Sequence, residues 1–73
     1  MADINKLYLI QTARFDEPET NLSYQKCKLE PLPQNKAYKC VPLDPNYTVK
    51  RFNQEYFDFL LYTKKIFEVQ DNE

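Results

Sequence analysis

The side chains with the most potential for chemistry are two thiols, Cys27 and Cys40, in a chain that has no histidine. Two cysteines facing each other across a hairpin can form a disulfide, supply half a metal site, or pack as two small hydrophobes. Zinc would need carboxylates or a second chain to complete four ligands, and a stable disulfide is disfavoured in a reducing compartment. Packing as free thiols is the expected state, with no redox Cys-x-x-Cys spacing to suggest exchange chemistry. The acids offer two sets: Asp16, Glu17 and Glu19 in one connection, and Asp44, Glu55, Asp58 and Glu68 on or near the C-terminal helical segment. Paired carboxylates of the glycosidase kind also need a cleft, which a small sheet with one helix hardly encloses.

A third constellation is Tyr24, Lys26, Lys28 and Lys39, with Lys36 and Tyr47 near it. Residues 22 to 41 carry four lysines against Glu30 alone. Tyrosines and lysines on one side of a strand pair can stack bases and neutralise phosphates. Lysine on a strand also serves solubility and blocks edge pairing, and that plainer role is the more frequent one. The fourth is the crowded stretch YFDFLLY, residues 56 to 62. It holds more apolar area than one sheet face consumes, and aromatics anchor the centres of protein interfaces.

The elements that position these groups follow from periodicity. Residues 6 to 15, KLYLIQTARF, place Leu7, Leu9, Ala13 and Phe15 at alternate positions with Tyr8, Thr12 and Arg14 on the other parity, which describes a half-buried strand. DEPETN, residues 16 to 21, is a solvated connection. Segments 22 to 30 and 36 to 43 flank PLPQN and form a hairpin. The register considered puts Cys27 opposite Cys40, Leu29 opposite Tyr38 and, at some electrostatic cost, Lys28 opposite Lys39. Asp44-Pro45 is one helix start signal. The other reading makes Tyr47 to Phe52 a fourth short strand, with Asn53 capping a helix from Gln54. Further on, Phe52, Tyr56, Phe59, Leu60, Thr63, Ile66 and Phe67 fall on one arc of a 3.6-residue helix. That arc is expected to cover the sheet, leaving Phe57 and Leu61, with Tyr62, as surplus apolar surface.

The fold class expected is therefore α+β: an antiparallel sheet of three strands, four on the second reading, covered on one face by a single C-terminal helix. With 73 residues the chain forms one small domain spanning 1–73. Six Tyr and five Phe supply the large side chains of a core. Glycine is absent, so positive-φ turns and phosphate-cradling loops must be replaced or missing. A net charge of −1 creates no global field toward nucleic acid or an anionic membrane. No apolar run is longer than Phe59 to Tyr62, far below the roughly 20 residues of a membrane span. Met1 to Lys6 has neither the basic head nor the apolar stretch of a secretory signal, and the expected location is the cytoplasm.

The functional expectation is a non-enzymatic protein, a small regulator or inhibitor that binds a larger protein or a second copy of itself. Phe57, Leu61 and Tyr62 would give the contact area, and the acidic loop or the lysine face would orient the partner. The alternative is a small nucleic-acid-binding module using Tyr24, Lys26, Lys28 and Lys39. No catalytic residue, cofactor, metal, membrane or small-molecule substrate is expected.

Overall fold

The computed structural model describes residues 2–69. Five strands, β1 (Leu7–Thr12), β2 (Ser23–Leu32), β3 (Ala37–Pro42), β4 (Lys50–Asn53) and β5 (Phe67–Glu68), accompany one α-helix, α1 (Gln54–Tyr62), in the chain order β1-β2-β3-β4-α1-β5. The sheet order is β4-β3-β2-β1-β5, and each neighbouring pair is antiparallel. The α+β class stands, with five strands where three or four were expected. β4 takes the place of the fourth strand of the second reading, over Lys50–Asn53 instead of Tyr47 to Phe52, and the two residues of β5 are too few for period-2 alternation to reveal.

Local chemistry decides the entry to α1. The Asn53 side chain accepts hydrogen bonds from Glu55 N at 2.8 Å and Tyr56 N at 3.4 Å, satisfying two donors of the first turn. The competing signal at Asp44-Pro45 makes a turn instead of a helix: Asp44 Oδ1 accepts from Asn46 N and Nδ2, both at 3.0 Å. This is the Asx-type bonding that short acidic side chains offer in place of helical pairing.

With no glycine available, lysine occupies the left-handed positions. Lys36 at φ 48° closes the β2–β3 hairpin, and Lys64 at φ 65° ends the helix. Lys65 N donates to Leu60 O at 2.9 Å and Lys64 N to Leu61 O at 3.2 Å, the bond pair of a Schellman stop. Each left-handed lysine costs about 1–2 kcal/mol.

The hairpin register differs by two residues from the one considered above. Leu29 pairs with Cys40, Cys27 with Pro42, Lys28 with Val41 and Glu30 with Lys39. The strands continue through Pro31 and Leu32 and shorten the loop, and a lysine pair is exchanged for an opposite-charge pair. Because a two-residue shift keeps side-chain parity, both cysteines stay on the same face.

That face is the core. Tyr8, Ile10, Cys27, Leu29, Tyr38, Cys40, Phe57 and Ile66 form one buried cluster between sheet and helix, with Phe52, Leu60 and Leu61 packed against it. On β1 the buried parity is Tyr8, Ile10 and Thr12, while Leu7 and Leu9 lie half-buried on the opposite face. The helical arc is also rotated from expectation. Phe57, expected as surplus surface, is fully buried, whereas Tyr56 and Phe59, expected inside, are exposed. The expected arc included Ile66 and Phe67, but the helix ends at Tyr62. Without those two residues the apolar stripe is Phe57, Leu60 and Leu61 at 3- and 4-residue spacing. Ile66 still reaches the core, from the segment after the helix.

Candidate functional site

Rotation of α1 onto Phe57 leaves a line of aromatics on its outer side. Tyr56, Phe59 and Tyr62 are spaced three residues apart and are 52%, 56% and 84% exposed. Successive i, i+3 side chains are neighbours on a helix surface. The Tyr56 and Phe59 rings stack with centroids 6.4 Å apart and planes 19° apart. Tyr56 in turn meets Phe52 at 6.0 Å, so the line is anchored to the half-buried margin of the core. Its inner end is preorganised, and Tyr62 projects from the last turn.

Of the three helix residues singled out in the sequence, Tyr62 is on this surface, Leu61 packs against the core cluster, and Phe57 sits at its centre. Tyr56 and Phe59 were missed as surface residues because the expected arc assigned them to the sheet side. The signal that could have found them is the helix stop at Thr63: counting the period over residues 54 to 62 alone centres the buried stripe on Phe57.

The four hairpin residues share one surface, as their parity implied. Tyr24, Lys26 and Lys28 are exposed on β2, alternating with buried Cys27 and Leu29, and Lys39 is half-buried on β3 beside Glu30. All four face away from α1.

The thiols are enclosed in the core. Cys27 Sγ donates to Gln25 O at 3.3 Å, and both cysteines are free. Burial pushes Cys27 up from 9.0 to about 11. Cys40 is pushed to about 12, by burial first and then by the neighbouring Cys27. At neutral pH both are held as thiols, which are poor nucleophiles and poor metal ligands.

A pH dependence follows. Above pH 9 the unfolded chain releases thiol protons that the folded chain still holds, so these groups lower stability progressively as pH rises from about 9 toward the folded values. The expected result is slow reaction of both cysteines with a thiol reagent in the native protein and fast reaction in denaturant. Stability should also fall less steeply above pH 9 in a Cys27→Ala/Cys40→Ala variant than in the parent. Fast native labelling of either cysteine at pH 8 would contradict this account.

The carboxylates are dispersed. Asp16 bonds Arg14 Nε at 3.2 Å, Glu17 accepts from Asn21 Nδ2 at 2.9 Å, and Glu68 pairs with Lys6 at 2.9 Å. Lys6 is raised chiefly by its hydrogen bond to Glu68, and Arg14 by its bond to Asp16. Arg14 also lies over the Tyr47 ring at 5.7 Å. Among the described residues no three His, Cys, Asp or Glu side chains come together as a metal site, and no helix is long and apolar enough to cross a membrane. Comparison with known proteins finds no matching family model, no similar curated protein and no similar solved structure.

Proposed function

We propose that this chain works by non-covalent binding to a larger protein, as a small regulator or inhibitor, through the Tyr56, Phe59 and Tyr62 line of α1. The observation that carries this reading is the exposure of three large aromatics in one line on the only α-helix among the described residues. In a domain this short, apolar area left in water forgoes about 25 cal/mol per Å² of stabilisation. Aromatics at the centre of an interface recover that contribution on binding.

The area favours a larger partner over a second copy. At these exposures the three aromatics offer on the order of 400 Å², about half of the roughly 800 Å² per partner of a stable two-protein interface. A cleft that wraps the helix can supply the remainder, whereas a second identical helix laid against it cannot.

The test is affinity capture from the native host with the parent chain and with a Phe59→Ala/Tyr62→Ala variant, followed by mass spectrometry and a binding titration. One protein should be recovered by the parent, and the variant should bind it at least about 30-fold more weakly with an unchanged circular dichroism spectrum. Equal recovery by both chains would refute the reading. So would a sedimentation mass showing a parent dimer that the variant dissolves.

A further inference from the structure

The sheet face opposite α1 is uncovered, and its charge is one-sided. Lys26 and Lys28 from β2, Lys39 from β3 and Arg51 from β4 share it, and Glu30 is the only carboxylate the strands place there. Lysines that block aggregation belong on edge strands. The edges here are β4 and β5, and three of the four cations stand on interior strands. Lys39 lies between Glu30 on β2 and Arg51 on β4, so the single carboxylate is spent on one of the four cations, and Lys26, Lys28 and Arg51 have no acid directly across from them.

Two aromatics lie on the same face. Tyr24 and Phe67 meet edge to face at 5.7 Å and 60°, and each is about two-fifths exposed, at 43% and 40%. Lys26 shares a row with Leu9 and Phe67 and lies two residues from Tyr24 on β2, so a cation stands beside the aromatic pair. Phe67 reaches this face only through the pairing of β5 with β1.

We propose that this face binds single-stranded nucleic acid, with bases stacked on Tyr24 and Phe67 and phosphates paired with Lys26, Lys28, Lys39 and Arg51. An acidic polypeptide would satisfy the cations and leave the aromatic pair unused. A duplex hides its base faces, and recognition of its grooves calls for a protruding helix or ribbon, which these strands do not present. Single strands offer both phosphates and open base faces to a flat sheet. The surface lies across the sheet from the aromatic line of α1, so it does not depend on the protein-binding reading. Both activities together would make the domain an adaptor between a protein and a nucleic acid strand.

The experiment is fluorescence anisotropy of a labelled oligothymidylate of about 12 nucleotides. A labelled duplex of equal length and a labelled polyglutamate are titrated in parallel at low salt. The single strand should bind best, and log K should fall against log salt with a slope of about −2 to −3, as expected for four cations on a single strand. Tyr24→Ala should weaken binding at least about fivefold. Lys28→Glu and Arg51→Glu should each weaken it and flatten the salt slope. Phe59→Ala/Tyr62→Ala should leave it unchanged, which separates this site from the α1 surface. Any one of four results overturns the proposal: no single-strand binding at low salt, equal or tighter binding of polyglutamate, tighter binding of the duplex, or single-strand affinity unaffected by both Tyr24→Ala and Lys28→Glu. The charge variants are exposed substitutions and keep the test valid if Tyr24→Ala perturbs the sheet.

Discussion

Phe57→Ala should remove most of the stability of this domain, while Phe59→Ala, two residues further along the same helix, should change it by about 0.5 kcal/mol or less. Phe57 is fully buried. Its ring meets Tyr8 at 5.4 Å and Tyr38 at 5.2 Å in edge-to-face contacts, with Phe52 at 6.1 Å. The Phe57 ring therefore joins α1 to β1, β3 and β4. Truncating a buried Phe costs about 3–5 kcal/mol in transfer and cavity terms. Total stability at about 0.05–0.15 kcal/mol per residue is of the same order for a chain this short. Urea unfolding followed by circular dichroism is the measurement: the midpoint should collapse for Phe57→Ala and hold for Phe59→Ala. Similar midpoints for the two variants would mean that the helix does not lie on the sheet by the face described.

Thr12→Val should have the next largest effect, about 1–3 kcal/mol, despite being nearly isosteric. Thr12 is fully buried. Its hydroxyl donates to Thr48 O at 2.8 Å and lies 2.9 Å from Thr48 Oγ1, while Thr48 Oγ1 donates to Ala13 O at 3.2 Å and Thr48 N to the same carbonyl at 3.0 Å. This knot fastens the segment between β3 and β4 to the end of β1, continuing into the Arg14–Tyr47 bridge. Valine removes the donor and leaves the Thr48 carbonyl without it in a partly buried setting. Hydrogen exchange gives the specific readout: the Thr48 amide should exchange faster in Thr12→Val, and Thr12→Ser, which keeps the hydroxyl, should restore protection. An unchanged Thr48 rate in the valine variant would remove this role from Thr12.

The features legible in the amino-acid order are those decided within a few residues. Alternation along β2 and β3 sorts Tyr24, Lys26, Lys28 and Lys39 from Cys27, Leu29 and Cys40, because side-chain parity is a property of the strand itself. Asn53 and Asp44-Pro45 were both legible as helix starts, since a cap bonds amides two and three residues on, and the structure chose Asn53. The absence of glycine implied that left-handed turns were either replaced or missing, and the structure shows replacement, by Lys36 and Lys64.

Tertiary structure decided the rest. The rotation of α1 about its axis, which exchanges Phe57 for Tyr56 and Phe59, depends on where the helix stops and on which ring fits between Tyr8 and Tyr38. The hairpin register depends on cross-strand partners, since a two-residue slip preserves every face and is separated only by pair energies such as Glu30 with Lys39. The meeting of Tyr24 and Phe67 requires a two-residue strand to return to the edge of β1. Parity and capping are short-range and written in order along the chain. Helix rotation, register and edge capture are settled by contacts between residues far apart in it, which local periodicity does not contain.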